Sequence, residues 1–128
     1  MPSPLALNSD MQVLESWQRL LTLYYIKAGA KAVIPGAHTG EFALNDLELF
    51  ENWLVWIKEM IESYGDSMLL MAAVGGSNAI KQAELSAKHG FDLVMIAPTA
   101  FHGRDHKGVL ALVEEIASII PTLGFELQ

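Results

Sequence analysis

The feature that most constrains this chain is an alternation of short apolar runs with longer stretches whose apolar residues recur about every 3.6 positions. Residues 68–74 form a continuous apolar run, which is short for a helix and is expected of a parallel strand buried on both faces. Residues 93–97 form a similar run, which Pro98 ends. One of the periodic stretches carries the apolar stripe Leu47, Phe50, Leu54, Ile57 and Ile61. Strands that alternate with helices in this way indicate an α/β protein.

The predicted order of elements is β-α-β-α-β-α-β-α-β, with about five strands and four helices. The strands are expected near residues 2–7, 32–35, 68–74, 93–97 and 123–127. Connections of this kind often place successive strands parallel and adjacent. A doubly wound sheet and a barrel both satisfy the pattern, because periodicity does not reveal the order of the strands.

The first predicted helix is amphipathic. Gly29 is well placed to end it in the left-handed conformation. Its apolar stripe, of the kind that normally faces a core, consists of Trp17, Leu20, Leu21, Tyr24 and Ala28.

Composition narrows the class of partner. The 128 residues are enough for one domain, 1–128, and 52% of them are hydrophobic, which suits strands buried on both faces or a surface covered by a partner. The net charge is −7 and only eight residues are Lys or Arg, so we expect neither a nucleic acid nor a membrane as partner. The chain has no cysteine, no apolar run long enough to span a bilayer and no signal-peptide pattern. We therefore expect a cytoplasmic protein.

Three stretches at the ends of predicted strands carry a family resemblance. Residues 37–41 (AHTGE) follow the second strand, residues 74–78 (VGGSN) follow the third, and residues 90–98 (GFDLVMIAP) contain the fourth. They resemble the substrate loop GTTGE, the glycine turn and the fourth strand of the dihydrodipicolinate synthase and N-acetylneuraminate lyase family. The resemblance covers nearly the whole chain. It implies an incomplete TIM-type (β/α) barrel, because a complete barrel has eight strands and about twice this length.

The resemblance also implies a function and a site. In this family the loop after strand two binds the carboxylate of a keto acid such as pyruvate, and a lysine on strand six forms a Schiff base. That lysine position lies beyond Gln128, so we expect these 128 residues alone to be inactive, and we expect no cofactor. Glu126 stands where the family has a tyrosine of its proton relay, which makes it the candidate catalytic acid or base. The candidate substrate-binding residues are Ala37, His38, Thr39, Gly40, Glu41 and Thr99.

The sequence departs from the family at several of these positions. Thr39 matches a family hydroxyl position, but His38 replaces a threonine and Ala37 replaces a glycine. Thr99 also stands where a tyrosine is usual. A chain that had drifted from the activity would look the same, so a non-catalytic scaffold or interaction protein stays open as an alternative.

A second alternative is a metal-dependent enzyme. Several histidine and carboxylate side chains lie on the loops predicted to follow the strands, at one rim of the barrel, and such side chains can bind a divalent metal. The simpler interpretation is that they are polar loop residues exposed to solvent. Arg104, on the same rim, is more simply a solvated residue than a carboxylate ligand. The residues concerned are His38, His102, His106, Glu41, Asp105 and Glu126.

Five strands are too few to close a barrel, so an apolar inner sheet face is expected to stay uncovered in a single copy. We therefore expect a homo-oligomer that buries this face against a second copy.

Overall fold

A computed structural model describes residues 1–37, 46–65 and 67–124 of the chain. These residues form an α/β fold with four helices and four parallel strands. Two short 3-10 helices, Gly76–Asn78 and Pro98–Phe101, follow the second and third strands. The other elements, in chain order, are α1 (Glu15–Lys27), β1 (Ala32–Val33), α2 (Leu47–Tyr64), β2 (Leu69–Val74), α3 (Ala79–Lys88), β3 (Leu93–Ile96), α4 (His106–Ile119) and β4 (Thr122–Gly124).

The order of the strands, and the packing of the helices on one face of the sheet, show that the sheet is of the kind found in a (β/α) barrel. The strands lie in the sequential order β1-β2-β3-β4, with β1 and β4 at opposite ends, so the barrel is not closed within the described residues. Alternate strand residues such as Val33, Val74 and Ile96 pack with side chains of α2, α3 and α4 in one core. On the other face, Ala73 and Met95 belong to a small separate cluster in which the structure describes no helix residue. A doubly wound sheet carries helices on both faces, so that alternative is excluded.

The first predicted strand, residues 2–7, is reduced to two isolated bridges, of which one joins it to the segment of β1 and the other pairs Leu7 with Val13. Pro2 pairs with Ile34 in parallel. Ile34 donates its N–H to Met1 O at 2.8 Å, and Ser3 donates its N–H to Ile34 O at 3.0 Å. Because the backbone groups of successive residues point to opposite sides of a strand, Pro2 faces the free side of this edge. Proline has no N–H, so Pro2 offers no donor there.

The predicted apolar stripe of α1 is wrong as a core face. Trp17, Leu20 and Tyr24 are 53%, 63% and 65% exposed, whereas Gln18 and Thr22 are fully buried. The buried glutamine forms the link between α1 and the N-terminal segment. Its side chain accepts the N–H of Ala6 at 2.9 Å and donates to Ser3 Oγ at 3.1 Å and Pro4 O at 3.3 Å. A buried amide with such partners outweighs the hydrophobic pattern, because leaving those groups unpaired would be costly.

The other helices follow the sequence pattern. Asp46 accepts the N–H of Leu49 at 3.0 Å and caps α2, whose predicted stripe is buried except for the half-buried Leu47. Trp53 is fully buried in the same helix. The last predicted strand begins one residue early, at Thr122, and residues 125–128 lie outside the described residues. A search of the described helices finds none with the length and apolar character needed to cross a membrane.

Candidate functional site

The candidate site lies at the rim where β1, β2 and β3 end. Parallel strands bring their carboxyl ends to one edge of a sheet, which is where barrel enzymes build their sites. Ala73 donates its N–H to Pro35 O at 2.8 Å, and Ala97 donates its N–H to Val74 O at 2.8 Å. These bonds extend the pairing beyond the strands and hold the segments that follow β1, β2 and β3 side by side.

The turn after β1 depends on Gly36. Its φ is +75°, and a Cβ at this position would overlap the carbonyl oxygen of Ala73. The next residue, Ala37, is 2% exposed and packs with Ala73 and Met95 on the inner face of the sheet. The Ala37 methyl group is therefore committed to packing, and any contact of this residue with a ligand falls to its backbone.

Gly75, Gly76 and Thr99 join the ends of β2 and β3. Gly76 donates its N–H to Thr99 Oγ1 at 3.2 Å. A Cβ on Gly75 would lie 2.5 Å from the same hydroxyl oxygen, so only glycine allows the two segments to approach this closely. Because the Thr99 hydroxyl accepts this bond, its own hydrogen remains available for donation, and it donates to no other described residue. A carboxylate at the rim is a suitable acceptor for it.

Gln82 is a site residue that the sequence pattern did not reveal. It lies on α3, is 4% exposed, and accepts the N–H of Gly75 at 2.8 Å. A polar residue in an amphipathic helix normally lies on the face exposed to solvent. The 3.6-residue period of the apolar residues does not show that a particular polar side chain, such as the Gln82 amide, points inward. The one signal was the glycine turn itself, since its N–H groups need acceptors.

Most of the predicted site residues fall where the structure gives no description. His38, Thr39, Gly40, Glu41 and the candidate catalytic residue Glu126 lie outside the described residues. Of the predicted substrate-binding residues, only Ala37 and Thr99 are therefore placed, one after β1 and one after β3.

The polar residues after β3 have structural partners. Asp105 accepts the N–H of Gly108 at 2.8 Å and caps α4. Arg104 donates its Nε to Ala100 O at 3.2 Å, and His102 and His106 are exposed. Among residues 1–37, 46–65 and 67–124, no three His, Asp or Glu side chains come together as a metal site. The metal alternative also drew on His38, Glu41 and Glu126, which lie outside that part of the chain, so it stays a hypothesis.

A cluster of charged side chains joins α2 and α3. Glu51 accepts a bond from Lys88 Nζ at 2.8 Å and lies 2.7 Å from His89 Nε2. The hydrogen bond from Lys88 and then that from His89 hold the pKa of the Glu51 carboxyl below its usual value. His89 is also the C-cap of α3, and its carbonyl oxygen accepts a bond from Lys58 Nζ at 2.8 Å. This cluster joins two neighbouring helices and is a structural contact.

Comparison with known proteins supports the fold. No family model matches the chain. No curated protein sequence matches it either. Among solved structures, N-acetylneuraminate lyase from Mycoplasma synoviae superposes with a TM-score of 0.84 at 18% identity, over 99% of this chain and 46% of the lyase. Dihydrodipicolinate synthase from Oceanobacillus iheyensis gives a TM-score of 0.80 at 17% identity, over 96% of this chain and 41% of the synthase.

A third structure was solved with a ligand. It is YagE, a prophage protein of the dihydrodipicolinic acid synthase family from E. coli K12 in complex with pyruvate, with a TM-score of 0.84 at 16% identity over 98% of this chain and 43% of YagE. The chain spans less than half the length of each of these three structures. The resemblance predicted from the three motifs is thus confirmed at the level of the fold. The chain has the fold of part of the (β/α) barrel of N-acetylneuraminate lyase and dihydrodipicolinate synthase.

Proposed function

We propose that these 128 residues form the keto-acid-binding part of an aldolase-type or lyase-type barrel and bind a small keto acid such as pyruvate. The observation that carries the proposal is the contact of Gly75, Gly76 and Thr99 at the ends of β2 and β3. It offers a hydroxyl donor beside a turn of small residues, which is suited to one carboxylate. Two structures with this fold, YagE and a synthase from Acinetobacter baumannii, hold pyruvate.

In this proposal the segment after β1 binds the carboxylate. The backbone of residues 37–41 and the Thr39 hydroxyl supply donors, and Thr99 adds a second hydroxyl from the segment after β3. Glu126 acts as the acid or base near the reacting carbon. We further propose that the protein is cytoplasmic and self-associates.

Replacing Thr39 with Val tests the binding step. The variant keeps the shape and removes the hydroxyl, so the affinity for pyruvate should fall by about 1 kcal/mol, roughly fivefold. Titration calorimetry on both proteins measures this. The matched control is Thr122→Val, because Thr122 begins β4 at the opposite end of the strands from the rim. Equal affinities for wild type and Thr39→Val would favour a plain turn, and no binding by either would favour a non-catalytic scaffold.

Borohydride trapping tests for a nucleophile. A Schiff base between a lysine and pyruvate becomes a stable amine on reduction, and this increases the mass of the protein. No lysine of this chain matches the family's position, so we expect no adduct after incubation with pyruvate and borohydride. A mass increase on one lysine, located by peptide mapping, would show that these residues carry their own nucleophile.

A metal analysis of the purified protein tests the remaining alternative. One equivalent of a transition metal that survives dialysis would favour a metal-dependent enzyme built on the rim histidines.

A further inference from the structure

A buried glutamine of α3 reaches the turn that follows β2. Gln82 is 4% exposed, and its side-chain oxygen accepts the N–H of Gly75 at 2.8 Å. The other buried residues of α3 are small, namely Ala79, Ala83 and Ser86. A long amide on such a face is costly to bury unless its polar groups are paired. The length and polarity of Gln82 therefore suit a contact with the turn.

The bond from Gly75 fixes the path of the turn. Gly75 is fully extended, with φ −165° and ψ −179°, and Gly76 follows with a φ of +62°. Glycine has no side chain to restrict its dihedral angles, so two successive glycines do not hold this path without outside contacts. Without Gln82, the Gly75 N–H would lose this acceptor and would turn toward water or another oxygen. Gly76 would move with it, because the two residues share a peptide bond.

The hydroxyl of Thr99 depends on the position of Gly76. Gly76 donates its N–H to Thr99 Oγ1 at 3.2 Å, which is at the long end of the usual range for such bonds. A small shift of the glycine would therefore break the bond. Among the staggered rotamers of threonine, the bond selects the one that brings Oγ1 to Gly76. It also uses an oxygen lone pair and leaves the hydroxyl hydrogen for an acceptor on a ligand.

We propose that Gln82 is a positioning residue for the keto-acid carboxylate, and that it acts through the two glycines of the turn on the rotamer of Thr99. Gln82 does not itself touch the ligand in this arrangement. It holds the turn, the turn holds the Thr99 hydroxyl, and the hydroxyl donates to the carboxylate. The identity of the ligand rests on the proposed function, whereas the link from Gln82 to Thr99 is a property of the protein alone and can be measured without a ligand.

Nuclear magnetic resonance on the ligand-free protein tests the link. Gln82→Met keeps the length of the side chain and removes the amide oxygen. The three-bond couplings of Thr99 should then show averaging over rotamers, and the Gly76 amide should exchange with solvent several times faster. Gln82→Glu keeps an acceptor oxygen at the same reach and should restore both wild-type signals. The matched control is Ser86→Ala, because the Ser86 hydroxyl is buried on the same helix but donates to the backbone carbonyl of Gln82 and not to the turn.

A double-mutant cycle with pyruvate tests what the link does. Thr99→Val removes the hydroxyl, so titration calorimetry should show a roughly fivefold loss of affinity for pyruvate. Gln82→Met should weaken binding by a similar factor, whereas Ser86→Ala should not. In the Thr99→Val background, adding Gln82→Met should change the dissociation constant by less than about twofold, because the group on which Gln82 acts is gone. Losses that multiply, to about 25-fold in the double variant, would overturn the proposal.

The two measurements separate the role of Gln82 from the proposed function. If the wild type binds no pyruvate, the proposed function fails, and altered couplings of Thr99 in Gln82→Met still support the link. Couplings that stay unchanged in Gln82→Met would overturn the link even if pyruvate binds. Circular dichroism and the Tm check that each variant is folded. If Gln82→Met unfolds, Gln82→Asn takes its place, because its amide is one methylene shorter and falls short of Gly75.

Discussion

At the scale of single residues, Gly36 and Gly29 show two different reasons for a glycine. Both have positive φ, +75° and +80°, a conformation that side chains disfavour. A Cβ on Gly29 would meet nothing within 4 Å, whereas one on Gly36 would overlap the backbone of β2. Gly29 is therefore needed for its conformation alone, and Gly36 for both conformation and space.

This difference predicts two unequal substitutions. Gly29→Ala should lower the free energy of unfolding by about 1 to 2 kcal/mol, the cost of a left-handed residue. Gly36→Ala adds a backbone overlap, so the loss should reach about 3 kcal/mol or more. Urea unfolding of both variants measures the two losses. Equal losses would show that the segment after β1 adjusts freely and that the rim is less tightly built than the close approach indicates.

At the scale of elements, Glu51 of α2 couples to Lys88 and His89 at the end of α3. Because folding lowers the pKa of Glu51, the folded state favours its ionised form. The stabilisation is therefore full above the ordinary glutamate pKa of about 4.3 and is lost as the pH falls through the lower value of the folded state.

Glu51→Gln should reproduce this loss at neutral pH. The contact is partly exposed to solvent, so we expect the free energy of unfolding at pH 7 to fall by about 0.5 kcal/mol. As the pH falls through the folded-state pKa of Glu51, the difference between variant and wild type should shrink toward zero. Glu48→Gln, on the same helix and without an ion pair among the described residues, serves as the control. A difference that persisted unchanged at low pH would show that packing, and not charge, is responsible.

The elements also show how far the sequence predicts the fold. The runs at β2 and β3 were recognisable because a strand covered on both faces needs apolar residues at every position. Periodicity misplaced α1, because its buried face is a glutamine and a threonine that serve the N-terminal segment. That contact depends on residues 12 to 15 positions apart, which a helical period does not encode.

The candidate site was predictable only in part. Thr99 was identified through its place after the fourth predicted strand, and it does contact the next rim segment. Gln82 was missed because its role follows from where α3 lies over the glycine turn, which is a property of the tertiary structure. The chemistry assigned to residues 38–41 and to Glu126 stays a prediction.

At the scale of the whole molecule, the sheet is asymmetric between its two faces and between its two edges. The helices of one face bury a large core, while on the other face Ala73 and Met95 are shielded but Leu123 is 49% exposed. At the N-terminal edge Pro2 faces outward without a donor, and Pro4 O accepts a bond from Gln18. Strand β4, at the other edge, contains no proline.

The consequence of the proline edge is resistance to fibre growth. A fibre that grows by adding one chain after another needs two sheet edges with unpaired backbone N–H and C=O groups in every copy. One edge pairs with the chain before it and the other with the chain after it. Because Pro2 and Pro4 have no N–H and Pro4 O already accepts a bond from Gln18, a chain added at β4 presents an N-terminal edge that lacks donors for the next chain. The double variant Pro2→Val, Pro4→Val should restore that edge and convert a soluble sample into thioflavin-binding polymers on agitation. Pro121→Val is the control, because the Pro121 carbonyl accepts a bond from Val94 and therefore faces into the sheet. If the double variant stays as soluble as this control, something other than the two prolines stops the polymer.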